Sequence, residues 1–201
     1  MKTLKGENVS INQIITTRFI IKSSNFALNR QNCISLQYIM LQSGKILTAT
    51  PFSDDENFKR TVVLLAECNK LGALGFILNR PTAFMLNELL DEIYFRAPIF
   101  LGGPVSTETI YYLHTLGNKL PGSVEIIKGL YWGGNFDALK TMLNNQMANP
   151  ADVKFFAGYS GWSEGQLEME CLDKAWVIGD TNAREAMSLH LNEDFWRKKM
   201  R

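Results

Sequence analysis

The sequence predicts a folded chain that mixes strands with helices, and three observations carry that reading. Short apolar runs of strand type recur at close spacing, two of them, Thr61 to Ala66 and Ala73 to Leu78, joined where Lys70-Leu71-Gly72 turns the chain. Helical periodicity appears in separate segments, most clearly at Phe136, Leu139, Met142 and Leu143. The composition is globular: of 201 residues 46 % are hydrophobic and 20 % charged, enough apolar surface for a core and too little charge for wholesale disorder.

The same numbers exclude several function classes. A net charge of +1 provides no field to draw the chain to nucleic acid or an anionic membrane. Cys33, Cys68 and Cys171 are odd in number and far apart, with no C-x-x-C pair, which suits a reducing cytosol rather than a disulfide framework. No apolar run approaches the ~20 residues that span a bilayer. Phe19-Ile20-Ile21, between Arg18 and Lys22, is too short for a secretory signal. The expected protein is cytoplasmic, without a membrane partner.

Residues 1–43 scatter short apolar clusters among Asn, Gln, Ser and Lys and read as a weakly ordered extension, with Met40 a possible natural start. A single domain is expected over 44–201. Lys45 to Thr50 reads as a strand stopped by Pro51, and Ser53-Asp54-Asp55-Glu56 as a turn or helix start. Thr61 to Ala66, β-branched and apolar, is expected to be central and covered on both faces. Ala73 to Leu78 returns as its hairpin partner, and Asn79-Arg80-Pro81-Thr82 closes that strand, with proline fixing the backbone. A short helix over Leu86 to Ile93 follows, then strands at Pro98 to Leu101, Thr109 to His114 and Ser123 to Ile127. Asn135 is placed to cap the helix that fades before Pro150.

The chain is organised around Val153 to Leu172. A buried strand (Val153, Phe155, Phe156) is expected to break at Gly158-Tyr159-Ser160-Gly161-Trp162. The chain then restarts as a helix at Ser163-Glu164-Gly165-Gln166, which has the S-x-x-Q spacing of a capping box. Leu167, Met169 and Cys171 alternate as in a strand, but the box favours helix. Ala175 to Ile178 reads as a last strand and Asn182 to Leu191 as a last helix.

Four blocks in order then resemble the YqgE/AlgH family of small bacterial proteins over 44–201: GKILTATPF with TVVLLAE, GALGFILNRPT, IFLGGPV with YYLHTLGN, and GYSGWSEGQLEMEC followed by AWVIGD. The resemblance implies an α+β domain with a mixed, bifurcated sheet curling toward a barrel and flanked by helices. It also implies a cytosolic protein of uncharacterised biochemistry, some relatives being described as candidate transcriptional regulators. Residues 1–43 extend beyond the usual family start. The family runs on past the final Arg201, so an incomplete C-terminal edge is expected.

Candidate chemistry is sparse. Ser160 follows a strand, but a nucleophile elbow needs glycine where Trp162 stands, and the family pattern often has alanine at position 160. His114 reads either as a backbone-bonded histidine or as an acid/base group, and His190 as a surface residue. Glu164, Glu168 and Glu170 read as a solvated helix face, so no metal or cofactor is assigned. Gly102-Gly103 offers backbone amides without a P-loop pattern. Tyr159 and Trp162 are suited either to stacking a planar ligand or to capping the core. Arg80 is the best fork for a phosphate or carboxylate.

These residues lead to a non-catalytic regulatory or adaptor protein binding a small molecule or a protein. Its candidate ligand-binding residues are Asn79, Arg80, Gly102, Gly103, His114, Tyr159, Ser160, Gly161, Trp162, Gln166 and Glu168. The alternative is an enzyme acting on a small anionic or acyl substrate, with Arg80 binding and His114 or Glu168 as acid/base. Direct nucleic-acid binding is disfavoured by the charge.

Overall fold

The computed structural model describes residues 41–51 and 55–201, so the extension up to Met40 and Ser53-Asp54 of the predicted turn lie outside the described residues. Ten strands are seen: β1 (Ile46–Ala49), β2 (Val62–Asn69), β3 (Gly72–Ile77), β4 (Pro81–Met85), β5 (Pro98–Leu101), β6 (Val105–His114), β7 (Val124–Ile127), β8 (Leu130–Trp132), β9 (Val153–Ser163) and β10 (Trp176–Gly179). Five short helices accompany them: α1 (Leu86–Leu89), α2 (Phe136–Asn144), α3 (Gln166–Leu172), α4 (Ala183–Ala186) and α5 (Glu193–Lys199).

The strands form one open sheet in the order β10-β1-β2-β3-β9-β6-β8-β7, with β4 and β5 attached as a branch. β9 is the branch point. One of its edges carries antiparallel β6, and the other carries parallel β5 against Phe155–Ala157 and then antiparallel β3 against Ser160–Ser163. The sheet is therefore mixed and bifurcated, as the resemblance implied.

β2 shows why it sits in the middle. Val62 and Leu64 face a core cluster closed by Ala186, Met187, Leu191 and Phe195, while Val63 and Leu65 face one closed by Leu41, Leu167, Cys171 and Trp176. All four are fully buried, the two-sided coverage that a continuous apolar strand requires. A third cluster lies under α2, where Leu139 and Leu143 meet Val153 and Phe155. Asn135 caps α2 as expected, its side chain accepting from the Ala138 N–H at 2.8 Å.

The largest departure from the sequence reading is at 158–163. The strand does not break at the glycines; it runs through them as one eleven-residue strand. Gly158 (φ +70°) sits where the β6–β9 register shifts between Val105 and Ile110, so it makes a bulge rather than a turn. The S-x-x-Q motif is half used. Gln166 Oε1 accepts from the Ser163 N–H at 3.0 Å, but Gly165 is the cap residue and the helix starts at Gln166. Pro81 opens β4 instead of ending a strand, and Leu130–Trp132 forms a strand too short for periodicity to show. The last predicted helix shortens to α4, and the basic terminus folds as α5, capped by Asn192. No helix among the described residues is long and apolar enough to cross a membrane.

Candidate functional site

The candidate residues fall into four places. At the branch point, Gly102, Gly103, Gly158 and Ser160 pack backbone to backbone. A Cβ on Gly102 would stand 2.2 Å from the Gly158 carbonyl oxygen, and one on Gly158 would meet the Val105 and Gly103 oxygens at 2.6 and 2.8 Å. The Gly102 carbonyl accepts from the Ile77 N–H (2.9 Å) and from the Ser160 hydroxyl (3.0 Å). Ser160 is wholly buried, and this bond occupies its proton. These residues weld β5 and β3 onto β9.

At the end of β9, Trp162 is buried and stacks on Phe58 at 5.9 Å while meeting Trp176 edge-on at 6.0 Å. The indole N–H groups of Trp162 and Trp176 both donate to Glu170 Oε2, at 2.9 and 2.7 Å, and Gln166 Nε2 donates to Glu170 Oε1 at 3.0 Å. Glu170 is thus a half-buried acceptor that organises two tryptophans. The sequence reading placed it on a solvated face, and only the proximity of β10 to α3 reveals otherwise. Glu168 flanks Cys68 and Cys171, where burial first and carboxylate charge second push both thiols up, Cys171 to about 12.

His114 lies at the opposite end of β9, paired with Val153. It is fully buried and stacked on Tyr131. The Leu116 N–H donates to Nδ1 (3.2 Å), so Nε2 carries the proton and donates to the Gly133 carbonyl (3.2 Å). Burial lowers its pKa against the pull of that carbonyl. Both ring nitrogens are used by the backbone. From Val153 to Ser163 the strand rises on the order of 30 Å, so His114 and Glu168 do not share a site.

Asn79 and Arg80 follow β3, on the order of 20 Å along the chain from its first residues. The Asn79 amide is a buried clamp: Oδ1 accepts from the Val62 N–H (2.8 Å), and Nδ2 donates to the Arg60 and Asn192 carbonyls (3.0 and 3.2 Å). Half-buried Arg80 donates to the carbonyls of Asn57 (2.7 Å) and Lys59 (3.2 Å). It lines a polar cavity of about 490 Å³ with Glu56, Lys59, Arg60 and Glu193.

One cavity gathers sequence candidates at the far end of the sheet. An open groove of about 450 Å³ lies between the β2–β3 hairpin tip, the start of β6 and the end of β9. Tyr159, Gly161 and Trp162 line it, with Leu74 and Val105 beside them and Glu67, Asn69 and Leu71 at its rim. Gly161 leaves bare backbone next to the Tyr159 ring, and Leu71 is 83 % exposed. Among the described residues no group of three or more His, Cys, Asp or Glu is arranged to hold a metal ion.

A family model for AlgH-like proteins matches residues 46–201. The chain belongs to the AlgH-like family. It is 38 % identical over 168 residues to a UPF0301 protein of Chlorobium limicola, covering 82 % of this chain and 88 % of that one. To a UPF0301 protein of Cytophaga hutchinsonii it is 42 % identical over 164 residues, covering 81 % and 90 %. The solution structure of the AlgH protein from Pseudomonas aeruginosa superposes with a TM-score of 0.65 at 30 % identity, over 79 % of this chain and 87 % of that one. A crystal structure of a Corynebacterium diphtheriae protein gives 0.67 at 19 % identity over 80 % and 86 %, a likeness of fold alone.

One residue of this AlgH-like chain went unnoticed in the sequence. Lys154 is fully buried within β9, its ammonium donating to the carbonyls of Leu78 (2.9 Å), Ser188 (2.8 Å) and Ala186 (3.3 Å) and standing 4.2 Å over the Phe100 ring. Burial pushes it down from 10.5 to about 7. The signal was present: a lysine inside Val-Lys-Phe-Phe, its apolar neighbours all buried.

Proposed function

We propose that this chain is a cytoplasmic, non-catalytic regulatory or adaptor protein that holds a small molecule or a segment of a partner protein in the Tyr159–Gly161 groove. One observation carries the reading. Beside the Tyr159 ring, Gly161 leaves a bare backbone floor in an open groove that offers aromatic faces together with the polar groups of Glu67 and Asn69. The groups best suited to catalysis support it from the other side, because the Ser160 hydroxyl and both His114 nitrogens are spent on backbone partners.

Thermal denaturation against a panel of metabolites, nucleotides and peptides tests the proposal. A ligand at ~100 times its Kd adds roughly 2.7 kcal/mol of stability. Gly161→Leu fills the groove without backbone strain, since the nearest contact of a Cβ is the movable edge of the Tyr159 ring at 3.1 Å. The expected result is a ligand-induced shift, or capture of a partner, that Gly161→Leu and Tyr159→Ala both abolish. Binding that survives both substitutions places the site elsewhere.

A further inference from the structure

We propose that the Arg80 cavity, remote from the groove, is a second binding site, specific for a small ligand carrying a single oxyanion group, carboxylate or phosphate. The argument begins with charge pairing. Each other cation of the cavity has a carboxylate: Lys59 meets Glu56 at 3.3 Å, and Arg60 meets Glu193 at 2.9 Å. Arg80 forms no such pair among the described residues; its described hydrogen bonds go only to two neutral carbonyls. Half-buried, it has its pKa lowered by burial. A guanidinium held at two donors presents its remaining N–H groups in a fixed fork, the geometry that takes two oxygens of one carboxylate or phosphate.

The surroundings are built rather than incidental. Arg60 adopts φ +56°, a conformation that costs a non-glycine residue about 1–2 kcal/mol and persists only where neighbours enforce it. The enforcing neighbour is the buried Asn79 amide, bonded to the Arg60 carbonyl. Arg60 and Arg80 therefore face one cavity of about 490 Å³ with their backbones fixed in advance. Glu56 and Glu193 on the same lining set the specificity. Each already pairs with a cation, so among the described residues the lining is left with one unpaired positive charge, enough for one oxyanion over Arg80 and not for the run of phosphates in a nucleic-acid backbone.

The test titrates the full chain with inorganic phosphate, acetate and, at matched ionic strength, chloride, following by NMR the guanidinium Nε–H resonance of Arg80 and, in both the unmodified chain and the Arg80→Lys variant, the backbone amide resonances of Asn57, Lys59 and residue 80 beside it. A saturable shift with phosphate, with acetate or with both, but not with chloride, is expected, and the responding ion identifies which source the natural ligand uses. Arg80→Lys keeps the charge and loses the fork, so binding weakens about tenfold, the effect of one charge-assisted hydrogen bond. Equal responses to all three salts, no response to phosphate or acetate, or unchanged affinity in folded Arg80→Lys overturns the proposal. The groove is probed independently by Gly161→Leu, which leaves these titrations unchanged.

Discussion

Replacing Lys154 with methionine removes a buried charge while keeping its unbranched stem packed against Phe100 and Phe156. In the folded protein the ammonium is held at about 7, in the unfolded chain near 10.5. Between those values the unfolded chain holds a proton that the folded one has released, so this residue makes stability rise with pH across that window. The full drop corresponds to about 5 kcal/mol between the charged and neutral forms. From about pH 9.5 down to about pH 6.5, linkage predicts that the unmodified protein loses about 3 kcal/mol relative to Lys154→Met. In a domain of this size that is a relative Tm change of roughly 6–12 °C.

The absolute offset has its own cause. Near pH 9.5 the neutral amine still donates, and methionine strands the carbonyls of Leu78 and Ser188, leaving the variant about 2–4 kcal/mol less stable. That gap closes as the pH falls. Urea denaturation followed by tryptophan fluorescence, at several pH values, measures it. Taking the difference between the two proteins cancels Tyr112 and Cys171, which burial pushes up to about 12 in both. A gap that stays constant, or widens toward acid, refutes the reasoning. It would mean that three carbonyls and a ring face hold the ammonium as well as water does.

Two further predictions concern contacts made along β9. Glu170→Ala leaves the indole N–H groups of buried Trp162 and Trp176 without their acceptor, and should cost about 2–4 kcal/mol in urea melts with a change in tryptophan emission; a loss below about 0.5 kcal/mol would remove Glu170 from that role. Gly102→Ala drives a methyl onto the Gly158 carbonyl, a backbone contact that cannot yield, and should cost about 3 kcal/mol or more, whereas Gly161→Ala meets only a movable ring edge and should cost less than about 1 kcal/mol. Equal effects of these two alanines would show that the glycines are not welding the branch.

Local chemistry written in neighbouring residues was legible from the sequence. The β2–β3 hairpin, the two-sided burial of Val62–Leu65, the strand Pro98–Leu101 and the Asn135 cap depend on side-chain period and turn residues, which act within a few positions. The ordered motif blocks carried the family and with it the branched sheet. Gly158 misled for a physical reason: glycine serves a turn and a tight backbone crossing equally well, and only the presence of β5 and β6 against β9 selects the crossing.

The same logic governs the site. The sequence by itself determined the residue types, an arginine before a proline and aromatics beside glycines. Tertiary structure decided their roles by bringing distant groups together. It spent Ser160 on Gly102, tied Asn79 to Arg60 and Asn192, and enclosed Lys154 among three carbonyls from two distant segments. It also left Arg80 and the Tyr159–Gly161 groove open. A side chain's chemistry is intrinsic, but its availability depends on partners far away in the chain, and long-range pairing leaves no periodic trace in the sequence.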